Sequence, residues 1–179
     1  VDRLLEYLQE LDSKNTYTIL LKPNDEWRPK KKNFSVKICK YKIFSFNPIQ
    51  QITFAWQLYR LKPDLVHFTM TGQQPIFYFG KQTTFTHDLT MFNYVRAGRL
   101  PEPLHKLRML GYRFLFWQSH RKAKTVLVPT EYVRDTLYKK YLFLRRRVTV
   151  TLESSEPPIN TPSEAIEGVE KPFILHVGS

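Results

Sequence analysis

The stretch "TVLVPTEYVRDTLYKKYLFLRRRVTV", residues 125–150, decides how the rest of the chain is read. Its opening "TVLVP" (125–129) is β-branched and apolar, as a short buried strand requires. Pro129 cannot extend a ladder, and Thr130 follows where a hydroxyl can cap a helix. "TEYVRDTLYKKY" (130–141) then reads as a helix, and "RRVTVT" (146–151) as the next strand. A strand, a helix and a strand in so short a span make a βαβ unit, whose strands run parallel.

The same alternation extends toward the N-terminus. "EPLHKLRMLGYRFLFWQSHRKA" (102–123) reads as a long helix entered through Pro101 and Pro103. "QTTFT" (82–86) and "DLVHF" (64–68) are short strands. "NPIQQITFAWQLYRLK" (47–62) has a capping Asn, a proline at the first helical position and apolar residues at helical spacing. "NFSVKICKYKIF" (33–44) and "TYTILLK" (16–22) read as strands. "VDRLLEYLQELDSKN" (1–15) is an amphipathic helix carrying Leu4, Leu5, Leu8 and Leu11. This order predicts an α/β fold: a Rossmann-like domain whose mostly parallel sheet is flanked by helices.

Toward the C-terminus the character changes. "LESSEPPINTPSEAIEGVE" (152–170) is rich in Pro, Ser and Glu and reads as a linker. "KPFILHVGS" (171–179) reads as the first strand of a second α/β unit. The expectation is therefore a domain over 1–151, a linker over 152–170 and an isolated strand over 171–179. A parallel sheet of this kind usually begins with a strand, whereas this chain begins with a helix at Val1. Residues 1–151 are thus expected to lack their first strand, both ends being shorter than the gene product. "PFILHV" (172–177) is a candidate to fill that slot in the sheet, from the same chain or a neighbour.

With 28 Lys and Arg against 16 Asp and Glu, the formal charge is +12. That balance favours anionic partners: nucleic acid, an anionic membrane or a phosphorylated substrate. The basic residues fall in short runs ("RPKKK" 28–32, "HRKAK" 120–124, "RRR" 145–147), which suit solvated faces. Cys39 is the only cysteine, so no disulfide framework forms within the chain. No apolar run is long enough to span a bilayer, and no signal peptide opens the chain.

Parallel α/β sheets bind ligands beyond the carboxyl ends of their strands. "TTFTHDLTMF" (83–92) puts His87 and Asp88 at such an end. His87 can point its ring into the crevice or bond a backbone carbonyl. Asp88 can orient an imidazole, bind a hydroxyl or cap the turn at 88–91. "TMTGQQP" (69–75) follows another strand end; Gly72 allows close backbone approach, and Thr71, Gly72 and Gln73 are candidate ligand contacts. Thr130 is an N-cap at a helix terminus that can also face a phosphate. His67 and His176 sit within apolar strands as satisfied core or crevice-edge residues. His105 and His120 are expected on the surface of the long helix, and the aromatics of 76–80 and 112–117 in the core. No helical face stands out as a membrane-insertion device, and no metal is expected.

From about residue 60 onward, "LKPDLVHF" (61–68), "TTFTHDLTMF" (83–92), "AKTVLVPTEYVRDTL" (123–137), "RRVTVTLESSEP" (146–157) and "KPFILHVGS" (171–179) follow one another in a familiar order. Together they resemble the acceptor-side half of the group 1 (family 4) retaining glycosyltransferases, which have GT-B architecture. The resemblance implies transfer of a sugar from a nucleotide-sugar donor to a glycan or lipid-linked acceptor in cell-envelope polysaccharide synthesis. It implies that His87 lies near the transferred sugar and the acceptor as a catalytic candidate; beside it, Asp88 remains a catalytic candidate, Thr71, Gly72 and Gln73 candidate acceptor contacts, and Thr130 and Gly178 phosphate or cleft candidates. It implies no cofactor beyond the nucleotide-sugar co-substrate, and a cytoplasmic location with peripheral contact at the inner face of an anionic membrane. The glycine-containing loop and the donor half of the family pattern are absent here, so this polypeptide alone is expected to be inactive.

Two other classes compete. A basic nucleic-acid-binding module fits the charge and the 15% aromatic content, although no specific nucleic acid is expected because no binding motif is present. A non-catalytic interaction domain would keep only the fold. A His-Asp phosphohydrolase is disfavoured because "TTFT" is strand-like and that fold is helical.

Overall fold

The computed structural model describes residues 2–42, 46–90 and 101–153. The elements follow the expected order: α1 (Asp2–Leu11), β1 (Tyr17–Leu21), β2 (Phe34–Ile38), α2 (Pro48–Leu61), β3 (Val66–Phe68), β4 (Gln82–Phe85), α3 (Glu102–Lys122), β5 (Thr125–Val128), α4 (Glu131–Lys140), a 3₁₀ turn (Leu142–Leu144) and β6 (Val148–Val150). The linker beyond Glu153, the strand 171–179 with His176 and Gly178, and the slot-filling role of 172–177 lie outside the described residues.

Every described strand pair is parallel. β1 pairs with β2 from Tyr17–Phe34 to Leu21–Ile38. A second sheet runs β3-β4-β5-β6, with Phe68 beside Thr84, Phe85 beside Leu127 and Val128 beside Val150. Helices join β2 to β3, β4 to β5 and β5 to β6, while loops join β1 to β2 and β3 to β4; the parallel strands and flanking helices make the chain an α/β protein of Rossmann-like type. Among the described strands, β1, β2, β3 and β6 each have a partner on one edge only.

Local chemistry explains where the elements stop. β2 is expected to run to residue 44; residues 43 and 44 lie outside the described ones, and the described ladder closes with the Cys39 N–H on Leu21 O at 2.7 Å. β1 offers nothing further, because the next amide, Lys22, turns to the Asp25 carboxylate at 2.8 Å. α2 begins as the sequence predicts: Asn47 Oδ1 accepts from the Ile49 and Gln50 amides, and Pro48 occupies the first turn. It ends at Lys62, whose left-handed φ of 48° breaks the helix.

Two apolar clusters hold the layers together. One surrounds β5: Val126 and Val128, alternate residues of one sheet face, pack with Ala123, Phe116, Leu137 and Leu144. The other joins α2 (Phe54, Ala55, Leu58) to Phe68 of β3, Tyr78 and Cys39, with Leu20 of β1 packed against it. α2 therefore ties both sheets to one core. A fully buried side chain such as Leu58 contributes roughly 1.5–3 kcal/mol relative to exposure.

Three expectations about side-chain placement change. Tyr78, Leu115 and Phe116 are core residues, but Phe77, Phe79, Phe114 and Trp117 are exposed. A helical face of apolar residues does stand out: α3 exposes Leu107, Leu110, Phe114 and Trp117, which lie at helical spacing. His120 is not a surface residue, being 0% exposed. It shares the inward face of α3 with Phe116 and Ser119, which pack onto the sheet.

Candidate functional site

Because the strands are parallel, the segments after β3, β4, β5 and β6 all emerge along one rim. Three of these segments meet at His87. Its Nε2 lies 3.1 Å from the carbonyl oxygen of Thr69, just past β3. Its Nδ1 lies 3.1 Å from Oε1 of Glu153, just past β6. Its ring packs on Phe85 of β4 with centroids 4.4 Å apart.

Proton bookkeeping constrains this arrangement. A carbonyl and a carboxylate both only accept, so the ring meets both partners fully when both nitrogens carry hydrogen. The carbonyl sits on the structured chain after β3, whereas the Glu153 side chain is 60% exposed. The Nε2 contact is therefore the fixed one, and the Nδ1 contact is open to exchange with an incoming group.

Asp88 Oδ1 accepts from the Thr90 amide at 2.8 Å, the Asx-type turn available to this residue. Thr71 is 3% exposed and faces inward. Its amide bonds Phe85 O at 2.9 Å, and its hydroxyl lies 2.7 Å from that of Thr86. Gly72 is buried with φ 93°, a conformation that favours glycine, and its amide donates to Gln74 Oε1 at 3.0 Å. Gln73 is partly exposed, with Oε1 folded back onto the Met70 amide at 3.2 Å. Of this trio, Gln73 alone keeps surface from which to meet a ligand, while Thr71 and Gly72 shape the backbone beneath it. Thr130 caps α4, its hydroxyl accepting from the Val133 amide at 3.3 Å. Among the described residues no group of three or more His, Cys, Asp or Glu side chains is arranged to hold a metal ion.

Sequence reading missed Thr69, Thr86, His120 and Glu153. A signal existed for two of them. In a parallel sheet the residues just after β6 share the rim with those after β4, which puts Glu153 on the same rim as His87, though β5 lies between the two strands. His120 follows Phe116 by four residues on the face of α3 that leads to buried Ala123. Neither the protein-family models nor the curated proteins give a match to this chain.

Proposed function

We propose that this chain is the acceptor-side half of a nucleotide-sugar-dependent glycosyltransferase of GT-B type, a second α/β half supplying the donor site. The observation that carries the reading is the placement of His87 at the carboxyl rim of a parallel sheet, with one nitrogen fixed on Thr69 O and the other on an exposed carboxylate. With Nε2–H held by the carbonyl, Nδ1 is the working nitrogen. An acceptor hydroxyl that displaces Glu153 there meets an imidazole of set tautomer, able to take its proton as the glycosidic bond forms. Gln73 lies on the neighbouring loop, in place to bond a further hydroxyl of the acceptor.

The acceptor is a glycan or a lipid-linked sugar. The exposed face of α3 supports a lipid context, because Leu107, Leu110, Phe114 and Trp117 are flanked by exposed Arg113 and by Lys106, which is ion-paired with Glu102 at 2.6 Å. No helix among the described residues is long and apolar enough to cross a membrane. Contact with an anionic bilayer is peripheral in this reading, at the inner face of the membrane. Apolar side chains enter the headgroup layer, and each cation near the surface adds roughly 1 kcal/mol.

The decisive assay is nucleotide release from a panel of UDP-, GDP- and ADP-sugars by a polypeptide carrying both halves, with membrane extract as acceptor. His87→Ala should lower turnover about a hundredfold or more, the usual scale for losing an acid–base group. Full turnover in that variant would remove His87 from the reacting site. Absence of turnover with every donor would favour the binding-module readings. For the membrane contact, co-sedimentation with vesicles containing phosphatidylglycerol should fall when Phe114 and Trp117 are replaced by Ser. Unchanged binding would exclude α3 as the contact.

A further inference from the structure

We infer that His120 is a positioning residue: it is the buried end of a one-way chain of hydroxyl hydrogen bonds that sets the loop 69–74, and through it the carbonyl that holds His87.

The direction of the chain follows from its terminus. His120 Nδ1 lies 2.8 Å from Phe116 O, a group with no proton to give. Nδ1 must therefore carry hydrogen. The ring is fully buried against the rings of Phe116 and Tyr141, and burial lowers its pKa to about 4, so at neutral pH it holds one proton only. Nε2 is then an acceptor, and the Thr86 hydroxyl, 3.0 Å away, must donate to it. Thr86 has no second proton, so the 2.7 Å separation between Thr86 and Thr71 is bridged by the Thr71 hydrogen. Thr71 is likewise spent, and the Thr84 hydroxyl at 3.3 Å donates to it. The order is Thr84 to Thr71 to Thr86 to His120 to Phe116 O, with Phe85 O, 3.1 Å from the Thr71 hydroxyl, as a longer second acceptor for the Thr71 hydrogen.

This chain reaches the site through Thr71, which is held at the end of β4 by three contacts: its amide to Phe85 O at 2.9 Å, its hydroxyl to Thr86 at 2.7 Å, and the same hydroxyl to Phe85 O at 3.1 Å. Two residues earlier, Thr69 presents its carbonyl to His87. Loss of the acceptor at His120 leaves Thr86 free to turn, removes the shorter of the two Thr71 hydroxyl contacts and so loosens Thr69 O. The consequence for acceptor binding rests on the glycosyltransferase reading, but the chain itself does not.

The test uses imidazole ¹⁵N spectra and amide exchange of the intact chain, neither of which needs a sugar nucleotide, so it stands apart from any failure of the transfer assay. At neutral pH the His120 ring should show a neutral ring with hydrogen on Nδ1, the minor tautomer of free histidine. Hydrogen on Nε2, or a charged ring, would overturn the chain. Thr86→Val should raise exchange at the Thr71 and Gly72 amides about tenfold, as expected for losing one hydrogen bond, and should shift the His87 ring signals, with the β5 amides unchanged. Thr86→Ser, which keeps the hydroxyl, should restore both. Wild-type exchange at Thr71 together with unmoved His87 signals in Thr86→Val would overturn the positioning role. If Thr86→Val does not fold, His120→Gln, which keeps an acceptor near Nε2, takes its place. It should preserve the His87 signals, and their displacement would count against the inference.

Discussion

Replacing His120 by Phe should remove the part of this fold's acid sensitivity between pH 7.5 and 4.5 that this residue contributes. The ring of His120 is fully buried; desolvation of its cation, only partly offset by the bond to Phe116 O, lowers its pKa from 6.5 to about 4. In the unfolded chain the same group binds a proton near its ordinary value. The unfolded state therefore holds more protons throughout this window, and stability must fall as pH falls. Integrating between those two pKa values gives a loss of about 2.5 kcal/mol between neutral pH and pH 4.5 from this one residue. Other groups do not mimic it. Hydrogen bonds from Tyr17 and Asn15 hold the Asp12 carboxyl well below the usual range, so its contribution is lost only at lower pH. Burial lowers His67 in the same direction as His120, but His67 is present in both proteins and cancels in the difference. Urea unfolding at a series of pH values reads the effect directly. His120→Phe keeps the aromatic packing but leaves the Thr86 hydroxyl without its acceptor, so it should be less stable than wild type at pH 7.5 by about 1–3 kcal/mol. The two curves should converge toward pH 4.5, where the wild type has lost its advantage. Parallel curves, with the same loss in both proteins, would refute a buried neutral His120.

Leu58→Ala should cost about 2–5 kcal/mol, because Leu58 is nearly fully buried in the cluster through which α2 holds β1 and β3. A shift in the urea midpoint equivalent to less than about 1 kcal/mol would show that this cluster is loosely packed. Asn47→Ala removes the acceptor for two amides at the start of α2 and should cost about 1 kcal/mol, whereas Asn47→Gly should cost clearly less. Equal losses in the two variants would mean that the cap is not made by the Asn47 side chain.

The sequence by itself was sufficient for the order of helices and strands, because the signals involved are local. Asn47 before Pro48, Thr130 after Pro129, and the β-branched run at 125–128 each act on the few backbone groups next to them. The helices α3 and α4 join successive strands and so imply the parallel pairing of β4, β5 and β6, with His87 at the end of β4, whereas β1–β2 and β3–β4 are joined by loops and only the fold showed that they are parallel. Local pattern could not choose a face for α3, since its apolar residues surround the axis and periodicity has no preferred side. Packing against the sheet made that choice, burying Leu115, Phe116 and His120 and leaving Phe114 and Trp117 exposed. Nor could it show that Glu153 meets His87, or that the threonines at 71, 84 and 86 converge on His120. Those residues are distant in sequence and are brought together by strand register. The tertiary structure decided them because a buried imidazole must find a donor and an acceptor within hydrogen-bonding distance, and only the folded chain supplies both.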